Sequence, residues 1–355
     1  MKVIKVDIDT ATPKDPEASI LIIYTGGTVG MVFDKKEQHL VPFNFSQILD
    51  HVPEISQFHY LLTVMSIEPA IDSSNVSGAD WLMLAKLIEE NYKKYDGFVI
   101  LHGTDTMAYS ASALSFLLEN LQKPVIFTGA QVPMGRLRTD ARENLITALQ
   151  IAAMRQNGKS MVPEVCIYFR NLLLRGNRAK KVESSHFDAF KSDNYPPLAE
   201  TGIDIEYSYD DILAHPKHAF RTHKKLNDKV AILKLFPGIT RQVVQSVLQS
   251  PGLQGLVLET FGSGNAPSAP WFLQLLHDAL DRGIHVLNVS QCDEGRVIQG
   301  QYETSTHLLQ MGVIGGADIT TEAAITKLMY VLGLELDHEQ TRMLLCQNLR
   351  GEISL

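Results

Sequence analysis

Two short stretches of the same kind constrain how this chain can fold. In each, a short apolar run passes directly into glycine and threonine: residues 20–24 lead into TGGT, and residues 98–101 lead into HGTD. Glycine permits a tight turn and a close approach of the backbone to a ligand, so the following hydroxyl can project from the edge of a sheet, where open α/β folds bind small molecules. The alternative is two ordinary strand-to-helix turns capped by threonine. Two such turns, the second followed by an aspartate, favour nucleophilic chemistry.

Chain length and periodicity predict the fold class. A chain of 355 residues exceeds what one core usually supports. We expect a larger N-terminal catalytic α/β domain at residues 1–208, a linker at 209–228, and a smaller C-terminal α/β domain at 229–355. Apolar strands that alternate with amphipathic helices predict a doubly wound, mainly parallel sheet in the larger domain.

Three less regular segments are also interpreted. Residues 1–17 are polar and predict a loose arm or an added edge strand. Residues 29–43 mix glycine, charges and proline and predict a long flexible loop beside the first threonine. Residues 188–227 predict irregular structure that leads into the linker.

Composition excludes several classes of protein. A net charge of -8 argues against binding to nucleic acid, which depends on Lys and Arg. No stretch of about 18 apolar residues predicts a membrane span, and no apolar segment marks an N-terminal signal. The three cysteines are widely spaced and odd in number, which suits the reducing cytoplasm.

No cofactor or metal is predicted. His215, His218 and His223 have a spacing that could indicate a metal, but no carboxylate or cysteine pattern joins them. The first glycine-rich turn lacks the G-x-G-x-x-G spacing that a dinucleotide requires.

Six segments of the chain are considered together: TGGTVG (25–30), GFVILHGTDTMAYSASALSF (97–116), KPVIFTGAQVP (123–133), LLRGNRAKK (173–181), FGSGNAP (261–267) and GVIGGADIT (312–320). They resemble the L-asparaginase family, and most closely its bacterial type I, cytoplasmic branch. The resemblance covers nearly the whole chain from about residue 18.

The resemblance implies a set of catalytic residues. A neutral threonine hydroxyl is a poor nucleophile and needs a neighbouring base, for which a lysine can serve when an aspartate orients it. By resemblance, Thr28 is the nucleophile, and Thr104, Asp105 and Lys181 form a triad beside the reacting amide. The segment RGNRAKK also contains Lys180, but the family motif places its lysine five residues after the glycine, which gives Lys181.

A free amino-acid substrate also needs its charged ends held. By resemblance, Asp72 and Ser73 bind the substrate, and the serine hydroxyl donates a hydrogen bond to the α-carboxylate. The Asp105 carboxylate would accept hydrogen bonds from the α-ammonium. Backbone N–H groups of the two turns, at Gly27 and Gly103, would stabilise the oxyanion. The alternative for residues 72–74 is a capping loop before the next helix.

Two departures from the family pattern affect the lid and regulation. Asparaginases commonly carry a tyrosine in the loop after TGGT, and Leu40 stands in its place here. Type I enzymes can bind asparagine at an effector site near a Gln-Cys segment that resembles Gln291-Cys292. At the position where the family has an arginine that binds the effector, this chain has Glu259. A carboxylate there disfavours binding of the effector's carboxylate. Cys292 is then interpreted as a buried small residue. The alternative is that Glu259 faces solvent and another residue holds the effector.

The resemblance implies hydrolysis of L-asparagine to L-aspartate and ammonia through a covalent aspartyl-enzyme, in an enzyme without a cofactor. The alternatives are a glutaminase/asparaginase of mixed specificity and a non-catalytic amino-acid sensor. Family members build their sites at subunit contacts, so a homodimer or homotetramer is expected, with a small-molecule substrate as the other partner and neither nucleic acid nor membrane.

Overall fold

The chain divides into two compact units. The structure is a computed structural model that describes residues 2–8, 10, 16–34, 39–42, 48–300 and 303–354. One unit is Met1–His223 and the other is Lys224–Leu355. The boundary between them falls inside the linker that we expected at residues 209–228.

The first unit contains strands of very different lengths and four α-helices within its described residues. The strands are β1 Lys2–Ile8, β2 Ala18–Tyr24, β3 Met31–Asp34, β4 His39–Pro42, β5 Tyr60–Glu68, β6 Gly97–Leu101, β7 Leu118–Glu119, β8 Val125–Thr128, β9 Arg155–Gln156, β10 Lys159–Ser160, β11 Val165–Phe169, β12 Leu172–Arg175, β13 Lys180–Lys181, β14 Phe190–Lys191, β15 Ala199–Thr201, β16 Ile205–Tyr207 and β17 Arg221–Thr222. The helices are α1 Ile48–His51, α2 Gly78–Asn91, α3 Met107–Leu117 and α4 Ala141–Ala153.

One nine-stranded sheet dominates this unit, in the order β1-β5-β2-β6-β8-β11-β12-β15-β16. The five strands β5, β2, β6, β8 and β11 are parallel to one another, and antiparallel strands extend the sheet at both edges. The predicted α/β fold with a mainly parallel sheet is confirmed.

The central strands form because both of their faces are covered. In β2 every residue except Ser19 is buried, which is the pattern of a parallel strand between two layers of helices. Ile20 and Ile22 belong to the same buried cluster as Leu145 and Leu149 of α4. The start of helix α2 is fixed because the Asp80 carboxylate accepts hydrogen bonds from the backbone N–H and hydroxyl of Ser77.

Two predictions of irregular structure were wrong in part, and residues 35–38 and 43 of the first segment lie outside the described residues. The predicted loop at residues 29–43 contains, in its described part, a short 3-10 turn at Thr28–Gly30 and an antiparallel hairpin of β3 and β4. Residues 188–227 contribute β15 and β16 to the large sheet. Short strands at a sheet edge lack the long apolar runs that mark central strands, so periodicity does not reveal them. At the opposite edge, β1 pairs with β5, as the edge-strand interpretation predicted.

The second unit is a smaller α/β fold, as predicted. Its strands are β18 Val230–Lys234, β19 Gly255–Thr260, β20 His285–Ser290 and β21 Ile314–Gly315, and its helices are α5 Arg241–Leu248, α6 Pro270–Asp281, α7 Glu303–Met311, α8 Thr321–Gly333 and α9 His338–Cys346. The four strands form a parallel sheet in chain order.

A buried ion pair holds the end of the chain in this unit. Lys327 of α8 and Glu352 are both fully buried, and the Lys327 ammonium lies 2.7 Å from the Glu352 carboxylate. Glu352 also accepts hydrogen bonds from the backbone N–H groups of Leu349 and Arg350. Each buried charge thus has a compensating partner.

Across the helices that the structure describes, none combines the length and the apolar character needed to cross a bilayer.

Candidate active site

The two Gly-Thr motifs lie side by side at the carboxyl edge of the large sheet. The last residues of β2 and β6, Tyr24 and Leu101, are register partners. Just beyond them, Thr25 donates hydrogen bonds to the Leu101 carbonyl from both its backbone N–H and its hydroxyl, each at 3.0 Å. The next strand of the large sheet after β2 is β5, which lies on one side of β2. The next one after β6 is β8, which lies on the opposite side of the β2–β6 pair. Such a reversal of strand order opens a crevice where α/β sheets bind ligands.

Close backbone packing explains why both motifs carry glycine. A Cβ placed on Gly27 would lie 2.5 Å from the Gly103 backbone nitrogen, and one on Gly103 would lie 2.4 Å from the Ser73 hydroxyl oxygen. Gly27 also has a φ of 86°, which L side chains rarely adopt. The two turns therefore meet backbone to backbone, with Ser73 against the second one.

Thr28 begins the 3-10 turn that follows Gly27, and it is half-buried. The other end of this turn is anchored to the sheet by Tyr24, the last residue of β2. Its hydroxyl donates a hydrogen bond of 3.2 Å to the Gly30 carbonyl. Burial raises the pKa of Tyr24 to about 12, so this hydroxyl remains a donor over the physiological range. This role of Tyr24 in holding the turn after Gly27 was not predicted from the sequence. The family's lid position, Leu40, lies opposite Phe33 in the hairpin.

Lys181 connects the two side chains of the second motif. Its ammonium nitrogen lies 2.7 Å from Thr104 Oγ1 and 2.7 Å from Asp105 Oδ1. The lysine side chain is 17% exposed and the aspartate 68%, so the pair joins a largely buried cation to a carboxylate at the surface. The structure thus brings together the three residues that the resemblance grouped as a triad.

The neighbouring Lys180 lies one position earlier in the same short strand. In the ladder of β13 and β14, Lys180 pairs with Lys191 and Lys181 pairs with Phe190. Successive side chains of a strand point to opposite faces, so only one of the two lysines can face Thr104.

Asp72 and Ser73 lie at a short turn before α2. Ser73 is buried against Gly103, and its carbonyl accepts a hydrogen bond of 2.7 Å from the Thr106 hydroxyl. Asp72 is exposed, and hydrogen bonds from the backbone and then the side chain of Ser74 lower the pKa of its carboxyl. In this structure Asp72 caps the turn Ser73–Asn75, while Ser77 stands at the start of α2.

A buried relay of hydrogen bonds supports the second motif, and no pattern in the sequence pointed to it. The Trp81 indole donates to the Ser110 hydroxyl at 2.9 Å, and this hydroxyl lies 3.0 Å from His102 Nε2. His102 Nδ1 lies 2.7 Å from the Gly103 carbonyl, which can only accept, so Nδ1 carries the proton and Nε2 accepts from Ser110. Burial lowers the pKa of His102 to about 4, which keeps the ring neutral.

A glutamine was also missed. Gln131 follows β8, and its Oε1 accepts a hydrogen bond of 3.2 Å from the Thr104 hydroxyl. The segment KPVIFTGAQVP supported the resemblance, but nothing in its pattern pointed to this side chain.

The two residues considered for an effector site, Glu259 and Cys292, lie in the second unit. Glu259 lies in β19 with its side chain 12% exposed, so the solvent-facing alternative is wrong. Its carboxylate accepts a hydrogen bond of 2.6 Å from the Thr321 hydroxyl and lies 3.6 Å from the Lys234 ammonium. Cys292 is exposed, so its interpretation as a buried small residue is also wrong. It follows β20 in a turn rather than a strand, and turns lie at the surface.

The described residues contain no group of three or more His, Cys, Asp or Glu side chains arranged to hold a metal ion. Among the three histidines singled out in the sequence, His215 Nε2 lies 2.9 Å from the Ser160 carbonyl and His223 Nε2 lies 2.9 Å from the Glu119 carboxylate.

Family comparison agrees with the division of the fold. The family model described as "Asparaginase, N-terminal" matches residues 19–213, and the one described as "Glutaminase/Asparaginase C-terminal domain" matches residues 229–345.

Individual proteins match over nearly the whole chain. L-asparaginase 1 of Escherichia coli (strain K12) is 45% identical over 343 residues, which cover 95% of this chain and 98% of that protein. The protein named 60 kDa lysophospholipase of Mus musculus is 41% identical over 365 residues, 96% of this chain and 63% of that protein. The crystal structure of L-asparaginase I from Vibrio cholerae superposes with a TM-score of 0.86 at 42% identity, and covers 95% of this chain and 99% of that one. The predicted resemblance is confirmed, and the chain belongs to the L-asparaginase family.

Proposed function

We propose that this chain hydrolyses the side-chain amide of L-asparagine to L-aspartate and ammonia, with Thr28 as the nucleophile. The observation that carries the proposal is the position of Lys181, whose ammonium nitrogen lies 2.7 Å from both Thr104 Oγ1 and Asp105 Oδ1. A lysine placed between a hydroxyl and a carboxylate can move a proton to and from a reacting group. The family names and the relatives named as L-asparaginases support the choice of substrate.

The proposed reaction has two halves. In the first, Thr28 Oγ1 bonds to the amide carbon, the carbon–nitrogen bond breaks, and the nitrogen leaves as ammonia after it gains the hydroxyl proton. In the second, water adds to the aspartyl ester, the ester bond breaks, and the threonine hydroxyl is restored. Thr104, Lys181 and Asp105 carry the proton in each half, and backbone N–H groups at Gly27 and Gly103 face the developing oxyanion.

Substrate binding is proposed for the residues around the second turn. Ser73 lies against Gly103, which supports a role for its hydroxyl in binding the α-carboxylate. Asp105 is 68% exposed, so it can receive an α-ammonium while it contacts Lys181. Asp72 would act through the turn that it caps.

Assembly and compartment form part of the proposal. We expect at least a dimer, in which the loop Gly262-Ser263-Gly264-Asn265 contributes to a neighbouring site, and light scattering tests this. The proposed compartment is the cytoplasm, because Cys166, Cys292 and Cys346 are all free and two of them are exposed, which suits a reducing environment.

Ammonia release from L-asparagine, L-glutamine and D-asparagine, measured over a wide range of concentrations, tests the function. We expect the highest kcat/KM for L-asparagine. Comparable values for L-glutamine would support mixed specificity, which the name of the C-terminal family model also allows. Tight binding of L-asparagine without ammonia release would support a sensor and contradict the proposal.

A further inference from the structure

Gln131 is fixed by contacts at both its backbone and its side chain. Its backbone N–H donates to the Asp140 carboxylate, with 2.9 Å to Oδ2 and 3.1 Å to Oδ1. Its side-chain nitrogen lies 3.1 Å from the His186 carbonyl oxygen and 3.4 Å from that of Glu183. These two residues follow Lys181 in the chain, so Gln131 links the end of β8 to the segment beyond the lysine.

These contacts determine which way the amide of Gln131 faces. Carbonyl oxygens only accept hydrogen bonds, so the side of the amide that faces Glu183 and His186 must be the NH2 group. The amide oxygen therefore faces Thr104 Oγ1, at 3.2 Å. Since the amide oxygen can only accept, the Thr104 hydroxyl donates to it.

The direction of that hydrogen bond sets the direction of the next one. A threonine hydroxyl has one proton and two lone pairs. With its proton directed to Gln131, Thr104 can only accept from Lys181, whose nitrogen lies 2.7 Å away. Lys181 also donates to Asp105. The hydrogen bonds thus run from Lys181 through Thr104 to Gln131.

We propose that Gln131 is a positioning residue for the proton relay: in the resting enzyme it holds the Thr104 hydroxyl so that its oxygen presents a lone pair to Lys181. In the transfer step the Thr104 proton turns from Gln131 to the reacting group as Lys181 passes its own proton to the Thr104 oxygen. This inference rests on the proposed function, in which Thr104 and Lys181 carry a proton. Gln131 acts through Thr104. Without it, Thr104 is free to rotate, and the aligned contact with Lys181 is populated for less of the time.

A purely structural role predicts a different outcome. If Gln131 mattered only because it anchors the segment at Glu183 and His186, its loss would slow the enzyme whether or not Thr104 had a hydroxyl. If it acts through Thr104, the two side chains are coupled, and the loss of one removes the effect of the other. A double-mutant cycle separates these cases.

The cycle uses Gln131→Met, Thr104→Val and the double variant, with Gln156→Met as the control at an exposed glutamine. In ammonia release from L-asparagine, we expect Gln131→Met to lower kcat about tenfold, the effect of one lost hydrogen bond in a relay, with KM changed by less than about twofold. In the Thr104→Val background the same change should lower kcat by less than about twofold. Gln156→Met should match the wild type. Equal losses in both backgrounds would overturn the proposal.

A second variant separates the two halves of the amide. Gln131→Glu keeps an oxygen that can accept from Thr104 and loses the donors to Glu183 and His186. It should keep about a third or more of the wild-type kcat, because the proposal depends on the oxygen that accepts from Thr104 and not on the hydrogen bonds to the Glu183 and His186 carbonyls. A Gln131→Glu enzyme as slow as Gln131→Met would contradict the inference.

The same cycle measured on unfolding does not depend on activity. Coupling between Gln131 and Thr104 should appear as about a fivefold or larger non-additive change in the unfolding equilibrium constant in urea. If the wild type released no ammonia, the proposed function would fail while this measurement still reported on the hydrogen bond. Additive effects on unfolding would show that the two side chains are not coupled and would overturn the inference.

Discussion

Lys181 Nζ lies 2.7 Å from Thr104 Oγ1, although 77 positions separate the two residues along the chain. One residue comes from the turn after β6 and the other from β13, so only the folded sheet brings them together. The lysine side chain is mostly buried and its other contact, Asp105, is mostly exposed. This arrangement places a lysine ammonium group at the crevice at the carboxyl edge of the sheet.

Replacing the connecting lysine should remove most of the activity. Lys181→Met keeps most of the length of the side chain and loses the nitrogen that contacts Thr104 and Asp105, so kcat should fall on the order of 10³-fold. The neighbouring Lys180→Met is the matched control and should stay within about threefold of the wild type, because adjacent strand residues point to opposite faces. Steady-state ammonia release measures both. Equal losses in the two variants would mean that general disturbance of β13 explains the effect.

The close approach of the two turns gives a second prediction. Gly27→Ala places a methyl group 2.5 Å from the Gly103 nitrogen, so the turns must separate. We expect kcat/KM, measured by ammonia release, to fall by about 100-fold or more, because a displacement of this size misplaces the reacting groups.

Gly158→Ala is the control for backbone strain. Gly158 has a φ of 78° and no atom within 4 Å of its added Cβ, so it incurs the cost of the left-handed conformation without a clash. Its activity should match the wild type. If both alanine variants lost activity alike, the packing of Gly27 against Gly103 would not be the cause.

Much of the site could be predicted because it follows local patterns. An apolar strand that runs into Gly-Thr predicts a hydroxyl at a sheet edge, and parallel strands place their carboxyl ends together. The two Gly-Thr motifs that contain Thr28 and Thr104 are therefore visible in the sequence itself. The choice of Lys181 over Lys180 depended on the family motif, since either lysine alone is typical of a solvated basic loop.

The remaining contacts depend on tertiary structure. Gln131 is tied to the backbone carbonyls of residues 52 and 55 positions away, and backbone groups leave no trace in residue type. The relay through His102 and Ser110 was hidden because buried polar residues are recognised only once their partners are known. Likewise the hairpin of β3 and β4 was missed, because glycine and charges in a short segment indicate a loop.

Stability should fall in mild acid because of buried histidines. Burial, followed by the nearby His338 and Arg342, lowers the pKa of His285 to about 4. The unfolded chain binds this proton near pH 6.5, so between about pH 6.5 and 4 the unfolded state holds more protons and the free energy of unfolding decreases as the pH falls. His102, with a pKa of about 4, contributes in the same direction. Above about pH 6.5 neither histidine makes the free energy of unfolding depend on pH.

Urea unfolding of the wild type and His285→Gln, near pH 7 and near pH 5, measures the effect of one histidine. The variant should lose less stability between the two conditions, because glutamine does not titrate. An equal or larger loss in the variant would contradict the burial of a neutral His285.

The response to asparagine should be close to hyperbolic. If an effector's carboxylate binds at this position, as the family resemblance implies, it would meet the Glu259 carboxylate, which accepts a hydrogen bond from Thr321 and lies 3.6 Å from the Lys234 ammonium. Two like charges about 4 Å apart cost on the order of 1 to 4 kcal/mol. Initial rates of the wild type, Cys292→Phe and the control Cys346→Phe test this. A sigmoidal wild-type curve that becomes hyperbolic only in Cys292→Phe would show that an effector site operates.

Mass mapping of the acid-quenched enzyme during turnover of L-asparagine tests the central claim most directly. Rapid quenching should trap an aspartyl ester on the peptide that contains Thr28, and Thr28→Ala should show neither the ester nor appreciable ammonia release. An ester on the peptide that contains Thr104, or a Thr28→Ala enzyme that releases ammonia at the wild-type rate, would contradict the assignment of Thr28 as the nucleophile.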